Sequence, residues 1–312
     1  MATAVRASAD GGFGAIGRAM LGWIVLCAGI GLAISTARFI TGLISAPPAA
    51  AAPLIQAVLV TALVVPAILA LRSRLDRKSP AGLGLSRRMT APLLFGLLVG
   101  VVTGAATWLP ALWMGWISVE RVHYGTLVSF LLINACVLLL YEALPEELAL
   151  RGYAWANVNS RWSPLIATLS VTALFVFSSS LISVFQFGSA RLLDVEPGGF
   201  GWAPAGSDPI VYFLQLGVFG LVLCAARRVP VDGALGIAVA FHVAQLSVTR
   251  LVLGGLGWLD SGLDIEFQAP DAIALVLVHI CLGGFIFILT RKWLQRRDTV
   301  TDGNARMHRA GT

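Results

Sequence analysis

Long apolar runs alternate with short polar breaks along this chain. Eight runs are near Leu21–Ile40, Pro53–Leu71, Ala91–Trp113, Tyr124–Tyr141, Pro164–Phe185, Pro209–Ala226, Gly233–Leu253 and Ala272–Thr290. A helix crossing the hydrocarbon core needs about 20 apolar residues. The pattern therefore predicts an all-α fold, a polytopic integral membrane bundle of about eight transmembrane helices. The first run is too long for the apolar part of a cleavable leader and follows a polar N-terminus, so no cleaved signal is expected.

Composition agrees. The chain is 57% hydrophobic and 12% charged, against about 25% charged in soluble domains. With the N-terminus on the cytoplasmic side, 18 of the 22 Lys and Arg fall on cytoplasmic segments, the exceptions being Arg38, Arg121, Arg191 and Arg250. Positive loops stay inside, so the expected location is a cell membrane, multi-pass, with both termini cytoplasmic. The net charge of +6 follows from this topology and calls for no nucleic-acid partner. Membrane lipids are the expected surroundings, and the basic loop Arg72–Arg88 suits anionic headgroups. Cys27, Cys136, Cys224 and Cys281 each fall inside an apolar run without a Cys-x-x-Cys pair, and read as small hydrophobes.

The chain divides into a small, polar stretch at 1–19 expected to be mobile, scaffold helices over 20–124 with almost nothing polar at depth, and a core over 125–253. An external loop with the last helix follows at 254–290, then a basic tail at 291–312 expected to be irregular. A long external loop also joins Gln186 to Asp208.

The chemistry concentrates in Glu146-Glu147-Leu148-Ala149-Leu150-Arg151-Gly152, directly after the fourth apolar run. Ionisable groups beside a bilayer are costly and mark functional sites by default. Adjacent carboxylates can divide acid and base roles. Arg151 is four residues after Glu147, on one helix face, and can orient it. An ion pair on a solvated helix end would produce the same pattern. Other polar groups at depth are few: His242 with Gln245 in the seventh run, His279 in the eighth, Asn134 in the fourth and Ser178–Ser180 in the fifth. For His279 and Asn134 interhelical packing is the expected role, and for the serines bonding to their own helix carbonyls.

Glu146-Glu147-x-x-x-Arg151 at the end of a span resembles the first motif of the CPBP family of intramembrane proteases, which includes the CAAX prenyl endopeptidases and the bacterial Abi or bacteriocin-immunity proteins. Leu83-Gly84-Leu85 followed by basic residues resembles a stretch that often precedes the family's core. The second family motif, Phe-x-x-x-His, is met by Phe175 with Ser179 at the histidine position. The third, His-x-x-x-Asn or Asp, is met by His242 with Leu246 at the amide position. Gln245 is one residue nearer and could support an oxyanion.

The resemblance implies an endopeptidase that hydrolyses a peptide bond with carboxylate-activated water near the cytoplasmic face. Glu146 would be the base, Glu147 and Arg151 the orienting pair, and His242 an oxyanion donor or metal ligand. A membrane-associated or prenylated peptide would be the substrate. The cofactor is left open. A divalent metal such as zinc would find only Glu146 and His242 as good ligands, whereas catalytic zinc sites usually have three. A catalytically impaired relative acting in immunity, chaperoning or protein interaction is the alternative. A transporter would be expected to show repeats or broken helices, of which the sequence shows little sign. No His-Glu-x-x-His element for zincin chemistry occurs.

Helical rise puts His242 about 13 Å beyond Gly233 and Ser179 about 22 Å beyond Pro164, whereas Glu146 falls past the end of its own run. Assembly of one site therefore requires the Glu146 helix to continue within the bilayer.

Overall fold

A computed structural model describes residues 11–203, 208–255 and 259–310. Helices dominate. They are α1 (Gly11–Gly42), α2 (Ala51–Leu75) and α3 (Thr90–Trp113), then α4 (Tyr124–Asn159), α5 (Pro164–Val176) and α6 (Ser178–Leu192). After these come α7 (Pro209–Arg227), α8 (Ala234–Val252) and α9 (Leu275–Ala310). Among the described residues seven helices are long and apolar enough to span a membrane, or eight when the bent pair α5–α6 counts as one span. Exposed Leu94, Leu98, Leu132, Leu165 and Leu169 give these helices an apolar exterior, as a bundle solvated by lipid requires. Cys136 and Cys281 are also exposed, whereas Cys27 and Cys224 are buried.

Two ends can be told apart. Asp76, just after α2, is almost fully buried and gathers Arg18, Arg72, Tyr153 and Asn157. Nearby, Leu235 N–H at the start of α8 donates to the Gly84 carbonyl. This is the basic end. At the opposite end Arg38 donates to the Glu196 carbonyl, and two strands pair antiparallel, β1 (Ile117–Val122) and β2 (Leu263–Phe267). The second of these segments falls in the external loop expected from the sequence, and the pairing clasps the chain between α3 and α4 to the chain between α8 and α9.

Three further expectations change. The helix carrying Glu146 does not stop at Tyr141 but runs 36 residues to Asn159. Pro145, with no N–H to donate, is accommodated by π-helical turns over Leu138–Ala143 and Glu147–Ala154. Leu144 N–H reaches back to Leu139, and Thr61 of α2 donates to the Leu140 carbonyl. The fifth run is broken, with α5 and α6 meeting at 42° across Phe177. There Ser178 Oγ donates to the Leu174 carbonyl at 2.9 Å, a back-bond that favours bending. Finally, helix begins at Gly11 within the stretch expected to be mobile, and α9 carries helix through the basic tail to Ala310. Lys292, Trp293, Leu294, Gln295 and Arg296 continue α9 with good helix formers and no proline stop.

The scaffold helices position the core through small residues. Gly96, Gly100 and Gly104 of α3 share one face. A Cβ on Gly96 would be 2.3 Å from the Ile237 carbonyl oxygen, and one on Gly100 2.5 Å from Ala244 Cβ. Small residues let backbones approach in a medium with no hydrophobic drive between helices. His279 Nε2 is 2.9 Å from the Gly100 carbonyl oxygen and joins α9 to the same seam. Gly96→Ala should thus force α3 from α8 and cost about 1–3 kcal/mol. Gly217→Ala, where a new Cβ meets nothing within 4 Å, should leave stability unchanged. Thermal unfolding of both variants in detergent checks the contrast.

Candidate active site

The continued α4 brings Glu146 level with the other motif positions. Thirteen residues separate it from Asn159, about 20 Å of helix, comparable to the depths of Ser179 and His242 from their own starts at the basic end. The expectation that Glu146 falls beyond the end of its span is thereby corrected. The apolar run ends at Tyr141 because charged residues begin, but Glu142 pairs with Arg250 and Glu147 with Arg151 inside the bundle, and the helix continues past them.

Glu147 is the hub. It is fully buried, as is Arg151. Glu147 Oε1 accepts from Arg151 Nη1 at 3.1 Å and is 3.0 Å from His242 Nδ1. The guanidinium also stacks on Phe175, 4.4 Å from the ring centre. Phe219 meets the His242 imidazole edge-on, with centres 4.9 Å apart at 81°. With Nδ1–H directed at the carboxylate, His242 has one tautomer and one orientation, and its Nε2 is the ring atom left for chemistry.

Above this hub is a cavity of about 880 Å³. His242, Glu146, Gln245, Ser179 and Phe175 all contribute to its wall, whereas Glu147 and Arg151 do not. The structure therefore brings Glu146, His242, Gln245 and the Ser179 position together around one space and puts the Glu147–Arg151 pair behind it. Gln245 Nε2 donates to Thr249 Oγ1 at 3.0 Å, while its Oε1 is buried without a hydrogen-bond partner. Leu246, at the family's amide position, also faces the cavity.

Ser179 does not act as a stand-in for a histidine nitrogen. Its Oγ is 2.6 Å from the Tyr212 hydroxyl of α7, a neighbour that no sequence motif announces. Glu142 and Arg250 form a second ion pair on the cavity wall, and Arg250 Nη1 also donates to Asn134 Oδ1. Both residues were within reach of sequence reasoning: Glu142 is one turn before Glu146, and Arg250 two turns after His242.

The donor set does not fit a catalytic metal. Among the described residues no group of three or more His, Cys, Asp or Glu side chains is disposed around a shared point. The third position carries a serine hydroxyl engaged with Tyr212, a poor zinc ligand.

A buried carboxylate shared by two donors makes a clear stability prediction. Arg151→Ala strands the Glu147 charge and should cost about 3–5 kcal/mol. Arg161→Ala, at an exposed position, should cost almost nothing. Equal losses in detergent melting would contradict the buried cluster.

Residues 127–246 match the family model of the type II CAAX prenyl endopeptidase Rce1-like proteins. No curated protein and no solved structure matches the chain. The match begins in α4, takes in the Glu146 motif and Ser179, and ends just after His242 and Gln245. Through this segment the chain is similar to the Rce1-like proteins of the CAAX protease family.

Proposed function

We propose that the protein is an intramembrane endopeptidase in which Glu146 activates water. The observation that carries this reading is the shared wall of Glu146 and His242, backed by a Glu147 carboxylate that holds the imidazole in place. Glu146 takes a proton as the water oxygen attacks the scissile carbonyl carbon, and the carbonyl π electrons move to oxygen. Gln245 has a second amide hydrogen beyond the one given to Thr249, and offers it to that oxyanion. His242, with Nδ1–H held by Glu147 and a second proton on Nε2, donates to the same oxygen from Nε2. Collapse breaks the C–N bond, and Glu146 returns its proton to the departing amine. The substrate is a membrane-associated peptide, and the family description adds prenylated peptides to that class. The chain resides in the cell membrane with both termini cytoplasmic, a reading supported by the loop charges.

A second reading has one observation in its favour. The Ser179 hydroxyl is tied to Tyr212 where the family carries a histidine, as would suit a relative that kept the fold and lost the chemistry.

Cleavage of membrane-anchored peptide reporters by purified protein in liposomes distinguishes the two. Glu146→Gln keeps shape and removes the base, so turnover should vanish with melting temperature unchanged. His242→Ala should lower turnover about 10²–10³-fold, the usual worth of an oxyanion donor, and Ser179→Ala should change it little. A wild type that cleaves nothing while Ser179→His cleaves would establish the non-catalytic reading. Cleavage surviving Glu146→Gln would remove Glu146 from the mechanism.

A further inference from the structure

The cavity has a direction. Its deep wall is formed by buried His242 and Phe175. Ile34, Gln56 and Gln186 follow, each partly buried, and its rim is reached at exposed Arg38, Ala49 and Gly199. All the rim residues belong to the end where α1 and α6 finish and α2 begins, the end of the β1–β2 clasp. Toward the basic end the floor is closed. Glu147, Leu150, Arg151 and Tyr153 are fully buried, and beyond them Asp76 binds α1, α2 and α4 together.

The charge bias points the other way. Arg72 and Arg74 in the last turn of α2 and Arg77, Lys78, Arg87 and Arg88 in the segment after it lie at the closed end, and basic segments flanking a span remain on the cytoplasmic side. We infer that the site is reached from the extracytoplasmic face, and that its substrates are juxtamembrane peptide segments exposed on that face. The substrate half of this inference rests on the proteolytic reading above, whereas the direction of access does not.

The lining fits an extended peptide better than a bare hydrocarbon chain. Gln56, Gln186 and Gln215 set amide donors and acceptors among Ile34, Ile182 and Leu216. Each residue of an extended peptide brings one N–H and one carbonyl that need such partners once out of water. An isoprenoid tail alone would leave these amides unpaired.

Directional thiol labelling tests access. In a background with Cys27, Cys136, Cys224 and Cys281 changed to Ala, Gln215→Cys probes the cavity wall and Ile34→Cys its outer part. Arg74→Cys marks the basic loop. A membrane-impermeant maleimide should label both cavity positions at least 10-fold faster in intact cells than in inside-out vesicles, with Arg74→Cys showing the reverse. Having two cavity positions guards against one variant that fails to fold, as judged by gel filtration. Faster labelling of the cavity positions in inside-out vesicles, labelling from neither side, or labelling of Arg74→Cys in intact cells would each overturn the inference.

A single-span reporter carrying the same cleavable segment on one side or the other then tests the substrate. Cleavage of the extracytoplasmic version alone is expected. Cleavage of the cytoplasmic version alone would overturn the substrate assignment. If neither is cut while labelling proceeds from outside, the proteolytic reading fails and the direction of access stands.

Discussion

The arrangement turns on one buried carboxylate oxygen. Glu147 Oε1 faces both Arg151 Nη1 and His242 Nδ1 in a region lined by Phe175 and Phe219. Moving ions out of water costs several kcal/mol each, and there is no water in a bilayer interior to recover that cost. The three side chains are therefore tolerated at depth only together. Because Glu147 and Arg151 belong to α4 and His242 to α8, the charge requirement also sets how these two helices face one another. A structural demand and a chemical one meet in the same contact: the bond that neutralises a buried charge is also the bond that selects the imidazole tautomer.

The surrounding packing serves that contact. α8 can bring His242 to Glu147 only if it is held at a set depth and rotation. The α3 glycine face supplies this, since Gly96 and Gly100 admit the α8 backbone at distances no side chain would allow. From α7, Gly220 does the same for Arg151, where a Cβ would be 3.3 Å from Nη2. Rigid positioning matters because a base and an oxyanion donor must be set before the reaction if they are to stabilise charge as it develops. The residues with no chemistry of their own thus decide where the chemical residues stand.

What could be read from sequence follows from how far each signal travels along the chain. Apolar runs and loop charges are local, and they reveal the all-α membrane bundle. Glu147 and Arg151 are one helical turn apart, so their pairing is visible as a spacing. The His242 partnership with Glu147 spans 95 residues, and only a family motif could suggest that both belong to one site. The end of α4 is not visible in the sequence because hydropathy registers the charge of Glu142 and Glu147 but not the Arg250, Arg151 and His242 that answer it. The bend at Phe177 was hidden for a related reason. The run across it has no proline or glycine after Pro164 to announce a break, and the bend falls where Ser178 turns back on its own helix. The β1–β2 clasp joins segments so far apart that neither has a hairpin signal.

Tyr212 shows the limit most clearly, and it changes what the missing histidine means. A Ser at position 179 read alone is a deletion of function, a small hydroxyl where a base or ligand should be. With Tyr212 2.6 Å away the position is instead a hydrogen-bonded link between α6 and α7, two helices of the cavity wall. A histidine introduced there would have to displace that link before offering a ring nitrogen to the cavity. The Ser179 and Tyr212 hydroxyls are therefore one unit, and the second motif position is not an empty place in an otherwise intact site. In the mechanism proposed above, the acid–base capacity rests on Glu146 and His242. The Ser179 side of the cavity provides shape and polarity, which are the properties that decide what can enter.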